Sequence, residues 1–134
     1  MELTLPAKMK QALISSISLG LAVLLTSGCS VKKLAMNELG DALSGGGTVF
    51  SSDDDPELVK DALPFSLKLM ESVLTETPKH QGLLLSLTSG FTQYGYGFVQ
   101  LDADEIEDED YDQALALRGR ATRLYLRAKR YGMR

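Results

Sequence analysis

The sequence predicts an all-α fold built from antiparallel helix pairs. Two segments carry large apolar residues at alternating spacings of three and four, one from Leu84 to Leu101 and one from Ala114 to Tyr131. This spacing places the side chains on one stripe of a helix, and such a stripe packs against another element. No segment alternates apolar and polar residues long enough to predict a sheet.

Composition limits the classes of protein that fit this chain. The 134 residues are 44% hydrophobic and 24% charged, which is typical of one ordinary globular domain. A net charge of -4 argues against nucleic acid as the partner. Cys29 is the single cysteine, so no internal disulfide can form and the fold must rest on packing.

The N-terminal residues 1–28 have the pattern of a secretory signal peptide. Lys8 and Lys10 precede the apolar run Ala12–Leu25, and small residues lead to Cys29. A membrane-spanning anchor is the alternative interpretation, but the apolar run is shorter than the roughly 20 residues needed to cross a bilayer. The sequence therefore predicts a cleaved segment 1–28 followed by one helical domain, residues 29–134.

The residues before Cys29 resemble a bacterial lipobox, with Thr26 where an aliphatic residue is usual. This resemblance implies that Cys29 becomes the mature N-terminus and carries acyl chains such as palmitate. Several acyl chains hold a protein at a membrane almost permanently. Because Ser30 stands where an Asp often signals inner-membrane retention, the outer membrane is slightly favoured.

Two helices are predicted before the first apolar stripe. Residues 31–44 have near-helical apolar spacing, and three glycines from Gly45 end that helix. Asp55-Pro56-Glu57 combines a capping carboxylate, a proline at the first helical position and an acid near the positive end of the dipole. The second helix is expected to run to about Thr77, with a kink or break near Ala62 because Pro64 lacks a backbone N–H.

The third segment reads as a helix against one competing interpretation. Tyr94 to Phe98 alternates aromatic residues with glycine, as in a strand, but the helical stripe is much longer and is therefore favoured. Small residues on a neighbouring face would let another backbone approach closely. The stripe consists of Leu84, Leu87, Phe91, Tyr94, Phe98 and Leu101, and the small residues are Ser86, Gly90 and Gly97.

Residues 102–112 hold eight carboxylates and predict a solvated acidic loop or an acidic entrance to the next helix. A calcium loop is excluded because Ile106 falls where a ligand oxygen is needed and Glu107 falls where the turn needs glycine.

The fourth predicted helix, residues 110–133, has a buried face and a basic flank. The flank carries arginines with the same helical rhythm, so they form either a protein-binding surface or a solvated face that stabilises the helix end. The buried face comprises Ala114, Leu117, Ala121, Leu124, Ala128 and Tyr131, and the partner-binding candidates are Arg120, Arg123, Arg127 and Arg130.

Motifs for catalysis and metal binding are missing from the sequence. His80 is the single histidine, so neither a zinc cluster nor a histidine-dependent triad can be assembled. Gly45 to Gly47 follow a helix and lack the lysine of a phosphate-binding loop. We therefore expect no enzyme activity, no metal and no cofactor.

Residues 55–99 (DPELVKDALPFSLKLMESVLTETPKHQGLLLSLTSGFTQYGYGFV), residues 118–134 (RGRATRLYLRAKRYGMR) and the lipobox together resemble the T component, a TatT-type lipoprotein, of tripartite ATP-independent periplasmic (TRAP) transporters. Helix pairs separated by a turn with Pro78 are also similar to degenerate tetratricopeptide repeats.

The resemblance implies a periplasmic, lipid-anchored homotrimer with a tetratricopeptide-like helical array. It would bind the transporter's solute-binding protein and offer a passage for a hydrophobic ligand. Family members are longer than this chain, so residues 29–134 are expected to be the N-terminal part of an array whose last helix lacks its covering neighbour. The alternative function is a structural or assembly lipoprotein of the cell envelope with no transport role.

Overall fold

The computed structural model describes residues 28–46 and 50–134, with side chains described from residue 31 onward. Helices and turns account for these residues, and no strand occurs among them, which confirms the all-α prediction. The predicted signal peptide lies outside them except for Gly28. The elements are α1 (Gly28–Gly45), α2 (Pro56–Glu76), α3 (Gln81–Gly95), a π-helical segment (Tyr96–Gln100), α4 (Leu101–Ile106) and α5 (Tyr111–Gly132).

The chain divides into two compact units, Met1–Ala35 and Met36–Arg134. Of the first unit, only the opening turns of α1 are described, and they expose Val31 and Leu34. The second unit contains the remainder of α1 and every later helix. All contacts discussed below belong to this second unit.

The start of α2 is the one that its sequence predicts. The Asp55 side chain accepts a hydrogen bond from the backbone N–H of Leu58 at 3.1 Å, and Pro56 occupies the first turn. The helix then passes through Pro64 without the break considered above. Leu63 and Leu67 are buried on either side of the proline, and this packing favours continuation of the helix through it.

Helix α3 lies at the centre of the second unit, packed against both α2 and α5. Helices α3 and α5 are antiparallel, because Gly132 lies beside Thr88 whereas Leu124 lies beside Gly95. A turn of four residues, 77–80, joins α2 to α3. The predicted antiparallel pairing of helices is therefore present.

The core is apolar and is shared by these three helices and the π-helical segment. Leu67, Leu83, Leu87 and Val99 are its largest fully buried side chains. Burying one such side chain contributes roughly 1.5–3 kcal/mol. On α5 the predicted face is confirmed: three alanines are buried, and three larger residues pack on the core at its edges. The alanines are Ala114, Ala121 and Ala128, and the larger residues are Leu117, Leu124 and Tyr131.

The π-helical segment changes which residues of the third segment are buried. Leu87, Phe91 and Tyr94 of the predicted stripe are buried, and Leu84 and Phe98 are partly buried. Leu101, however, is 40% exposed, while Val99 and Ala103 are fully buried. A π turn contains about one more residue than an α turn, so the buried position after Tyr94 falls five residues later instead of four. The prediction of a helix was right, and the predicted burial of Leu101 was wrong.

The acidic residues 102–112 form more structure than a solvated loop. They comprise most of α4, a short turn and the N-cap of α5, where the Asp110 side chain accepts from the backbone N–H of Gln113 at 2.9 Å. Ala103 is fully buried within this segment. The alternative prediction, an acidic entrance to the last helix, fits the second half of residues 102–112.

His80 has a structural role at the start of α3. Its Nδ1 accepts a hydrogen bond from the backbone N–H of Leu83 at 3.2 Å, so its Nε2 carries the proton in the neutral form. Nε2 then donates to the backbone oxygen of Asn37 on α1 at 3.3 Å. Gly40 lies against the ring, where a Cβ atom would stand only 2.7 Å from it.

Candidate functional site

The structure brings the four predicted arginines together on one face of α5. They surround a shallow depression of about 390 Å³ whose remaining lining comes from two leucines. We call this face the arginine surface; it consists of Arg120, Arg123, Leu124, Leu126, Arg127 and Arg130.

Arg127 is held within the molecule by α2 and α3. Its Nε and Nη2 donate to the two carboxylate oxygens of Glu71 at 2.6 and 2.5 Å. Its guanidinium carbon also lies 4.8 Å from the centre of the Phe91 ring. This bidentate, stacked arrangement is one that arginine makes and lysine does not. Reversing the charge of Arg127 would therefore disturb the fold as well as the surface.

Glu71 is the carboxylate at the centre of this contact. Its side chain is only 10% exposed, and it also accepts hydrogen bonds from Lys68 at 2.8 Å and from the Tyr131 hydroxyl at 2.5 Å. Burial raises the pKa of Glu71, but the hydrogen bonds from Lys68, Tyr131 and Arg127 outweigh it, so the pKa lies below its ordinary value. Sequence reasoning missed Glu71, because nothing near it in the chain signals a partner on α5.

Of the other three arginines, only Arg120 is held by another side chain in the described residues. The Nη2 of Arg120 donates to the Tyr94 hydroxyl at 3.3 Å, and its guanidinium lies 5.7 Å from the centre of that ring. Within residues 28–46 and 50–134, Arg123 and Arg130 have neither an ion pair nor a hydrogen-bond partner for their side chains. Two arginines of the surface are thus held by other side chains, and the other two have no such contact in the described residues.

Arg118 uses its charge differently and is not part of this surface. It bonds both oxygens of Glu107 at 2.7 and 2.6 Å and one oxygen of Asp104 at 2.9 Å. The hydrogen bond from Arg118 lowers the pKa of Glu107. Lys60 of α2 similarly pairs with Asp102 at 2.9 Å. The acidic segment is therefore partly neutralised by the helices beside it.

A second candidate site is an apolar groove between α2 and α3 with a volume of about 510 Å³. The predicted small residues line it: Gly90 receives the Leu67 side chain, and a Cβ at Gly97 would meet open space. The volume is within the range of small-molecule sites. The full lining is Phe50, Ser51, Val59, Leu63, Leu67, Met70, Leu85, Ser86, Ser89, Gly90, Gln93, Gly97 and Phe98.

Cys29, the predicted lipidation site, is the second residue of α1, and its side chain is not among those described. Among the helices that the structure describes, none combines the length and apolar character needed to cross a bilayer. Residues 28–46 and 50–134 also contain no cluster of three or more potential metal ligands.

Comparisons with known proteins place these features in a family context. Residues 52–134 match the family model described as TRAP transporter T-component. The chain is also 32% identical over 124 residues to an uncharacterized protein of Treponema pallidum (strain Nichols); the match covers 82% of this chain and 38% of that relative. The chain thus spans well under half of the relative's length. No solved structure gives a significant match.

Proposed function

We propose, because this chain belongs to the TRAP transporter T-component family, that it is an accessory component of a TRAP transporter. In this proposal it binds the transporter's solute-binding protein while ligand is taken up. The family is one of transporter components and not a known enzyme family. An exposed helical surface is also suited to binding another protein.

One observation carries this proposal. The residues that match the family, 52–134, build α2 to α5 and therefore hold nearly all of the core, the arginine surface and most of the groove. The similarity thus covers a folded unit together with its exposed surfaces. The apolar lining of the groove would suit contact with a hydrophobic ligand during its transfer.

We further propose a membrane location and an oligomeric state. Cys29 is acylated and anchors the domain of residues 29–134 at the periplasmic side of a membrane, preferably the outer membrane, and the domain assembles as a homotrimer. The apolar run before Cys29 supports the anchor. Substituting Cys29→Ser should abolish fatty-acid labelling and release the protein from the membrane fraction. A variant that stays labelled would contradict the anchor.

Copurification tests the binding function. The full chain, tagged at its C-terminus, is isolated from detergent-solubilised membranes of cells that also produce the solute-binding protein of the same transporter. We expect that protein to copurify with the tagged chain and to be absent from a sample prepared with an unrelated tagged lipoprotein. If both samples lack the solute-binding protein, the structural or assembly role in the envelope replaces the transport role.

A further inference from the structure

We infer that the arginine surface of α5 is a docking surface for an acidic protein surface whose carboxylates pair with its arginines. The inference rests on the proposed function, which identifies the partner as the solute-binding protein. Neither the family match nor the relative assigns this face a role.

The arginine surface concentrates positive charge. The whole chain has a net charge of -4, yet four arginines converge on one face of α5. Of these four arginines, only Arg127 has a carboxylate partner in the described part of the chain, whereas Arg120 donates to the Tyr94 hydroxyl. Like charges three and four residues apart repel on a helix. Carboxylates supplied from outside would remove that repulsion and balance the remaining guanidinium charges.

The arginine surface also exposes an apolar side chain. Leu126 belongs to this surface and is 53% exposed. Because successive residues of a helix are rotated by about 100°, Leu126 lies at one edge of the arginines, next to Arg130. Protein interfaces combine apolar and polar contacts, and arginine is among the residues that dominate interface energies. Leu126 therefore supplies apolar contact area beside the charged side chains.

The depression on the arginine surface is shallow. Every residue that lines it belongs to α5, so the depression is a gap between side chains on one helix and has no wall from a second element. Small-molecule sites normally enclose most of their ligand. A shallow, charged and partly apolar face suits a broad partner surface instead.

Two of the four arginines are held in place by other side chains. Glu71 and Phe91 hold Arg127, and Tyr94 holds Arg120, so part of the surface already has fixed side chains. Fixing side chains before binding lowers the entropy cost of association. Arg123 and Arg130 are exposed and can turn to make bidentate bonds with carboxylates of the partner.

A matched pair of double variants tests the inference. Arg123→Glu with Arg130→Glu reverses the two free charges of the arginine surface, and Lys79→Glu with Lys129→Glu makes the same change in net charge outside it. All four side chains are exposed and lack a partner in the described residues, so both double variants should keep the wild-type melting temperature within a few degrees. The full-length proteins are compared for binding to the purified solute-binding protein.

The arginine double variant should weaken this binding tenfold or more, with a shallower dependence on salt, and the lysine double variant should bind within about threefold of wild type. Equal binding by the arginine variant, or equal loss in both variants, would overturn the inference while leaving the proposed function intact.

Light scattering of the same samples tests whether a second copy of this chain occupies the arginine surface instead. A second copy of this chain could bring its own acidic residues 102–112 to the arginine surface. A lower oligomeric mass confined to the arginine variant would show a contact between copies and overturn the inference. If wild type itself does not bind the solute-binding protein, the proposed function fails, and the assignment of the partner fails with it.

Discussion

At the scale of single residues, Glu71 connects helices that are far apart in sequence. It belongs to α2, yet it binds Arg127 and Tyr131 of α5, which lie 56 and 60 positions later. A nearly buried carboxylate is stable only when its oxygens are bonded. Glu71 meets this condition, because Lys68, Arg127 and Tyr131 all donate to it. The same contact holds one side of the arginine surface in place.

Replacing Glu71→Gln should lower the free energy of unfolding at neutral pH by about 1–3 kcal/mol, because Arg127 and Tyr131 lose their charged acceptor. Asp61→Asn is the control, since it removes an exposed carboxylate of the same helix and should stay within about 0.5 kcal/mol of wild type. Urea unfolding followed by circular dichroism measures both changes. Equal stability of the two variants would show that the Glu71 contact contributes little.

The difference in unfolding free energy between wild type and Glu71→Gln should depend on pH in a definite direction. The folded-state pKa of Glu71 lies below its ordinary value, so its contribution is complete above about pH 4.3, the ordinary value for glutamate. The contribution is lost as the pH falls through the lower, folded-state value. The gap in stability between wild type and Glu71→Gln should therefore narrow under acid. A gap that stays constant from pH 7 to acid would contradict the assignment.

At the scale of elements, the π-helical segment sets the register between α3 and α4. It contains the extra residue that moves burial from Phe98 to Val99 and then to Ala103. Gly95 sits just before it, with Leu124 and Tyr125 so close that a Cβ atom there would lie 3.3 and 3.2 Å from them. Helix α5 thus packs tightly where the register changes.

Deleting Gly97 should convert this segment to regular α-helix and leave the later residues facing the core. A π turn equals an α-helix with one inserted residue, so removing one residue puts Val99 four positions after Tyr94. A Cβ at Gly97 would meet nothing, which indicates space for the change. We expect a folded protein whose melting temperature, measured by circular dichroism, stays within a few degrees of wild type.

The matched control deletes Thr122 from the middle of α5, which has no π turn to absorb the loss. Every later residue of α5 would rotate by about 100° and Ala128 would leave the core, so this variant should fail to fold. Similar loss of structure in both deletion variants would show that the π segment does not carry a spare residue.

At the scale of the whole molecule, the features predicted from sequence are those with local or periodic signals. Asp55-Pro56 starts a helix through its own neighbours, and the spacing from Ala114 to Tyr131 defines a buried face. The same periodicity placed Arg120 to Arg130 on one flank. The partner of Arg127 and the extra residue near Gly97 depend on packing between distant segments, so periodicity does not predict them.

The central position of α3 leads to the last prediction. Leu87 is fully buried in the core and belongs to α3, which packs against both α2 and α5, so Leu87→Ala leaves a cavity in the core that these helices share. We expect a loss of about 2–5 kcal/mol, a large share of the 5–15 kcal/mol typical of a folded domain. Leu85→Ala is the control: Leu85 belongs to the same helix but is 71% exposed, and its replacement should cost no more than about 0.5 kcal/mol.

Urea unfolding followed by both circular dichroism and tyrosine fluorescence checks this prediction. If α3 couples the α2–α3 pair to the α3–α5 pair, Leu87→Ala shifts both signals together to a lower urea concentration. A single cooperative unit gives coincident transitions. The tyrosines of the α3–α5 contact, Tyr94, Tyr125 and Tyr131, report on that pair, while circular dichroism reports on every helix. Two separated transitions in the variant would show that α2 unfolds independently of the α3–α5 pair.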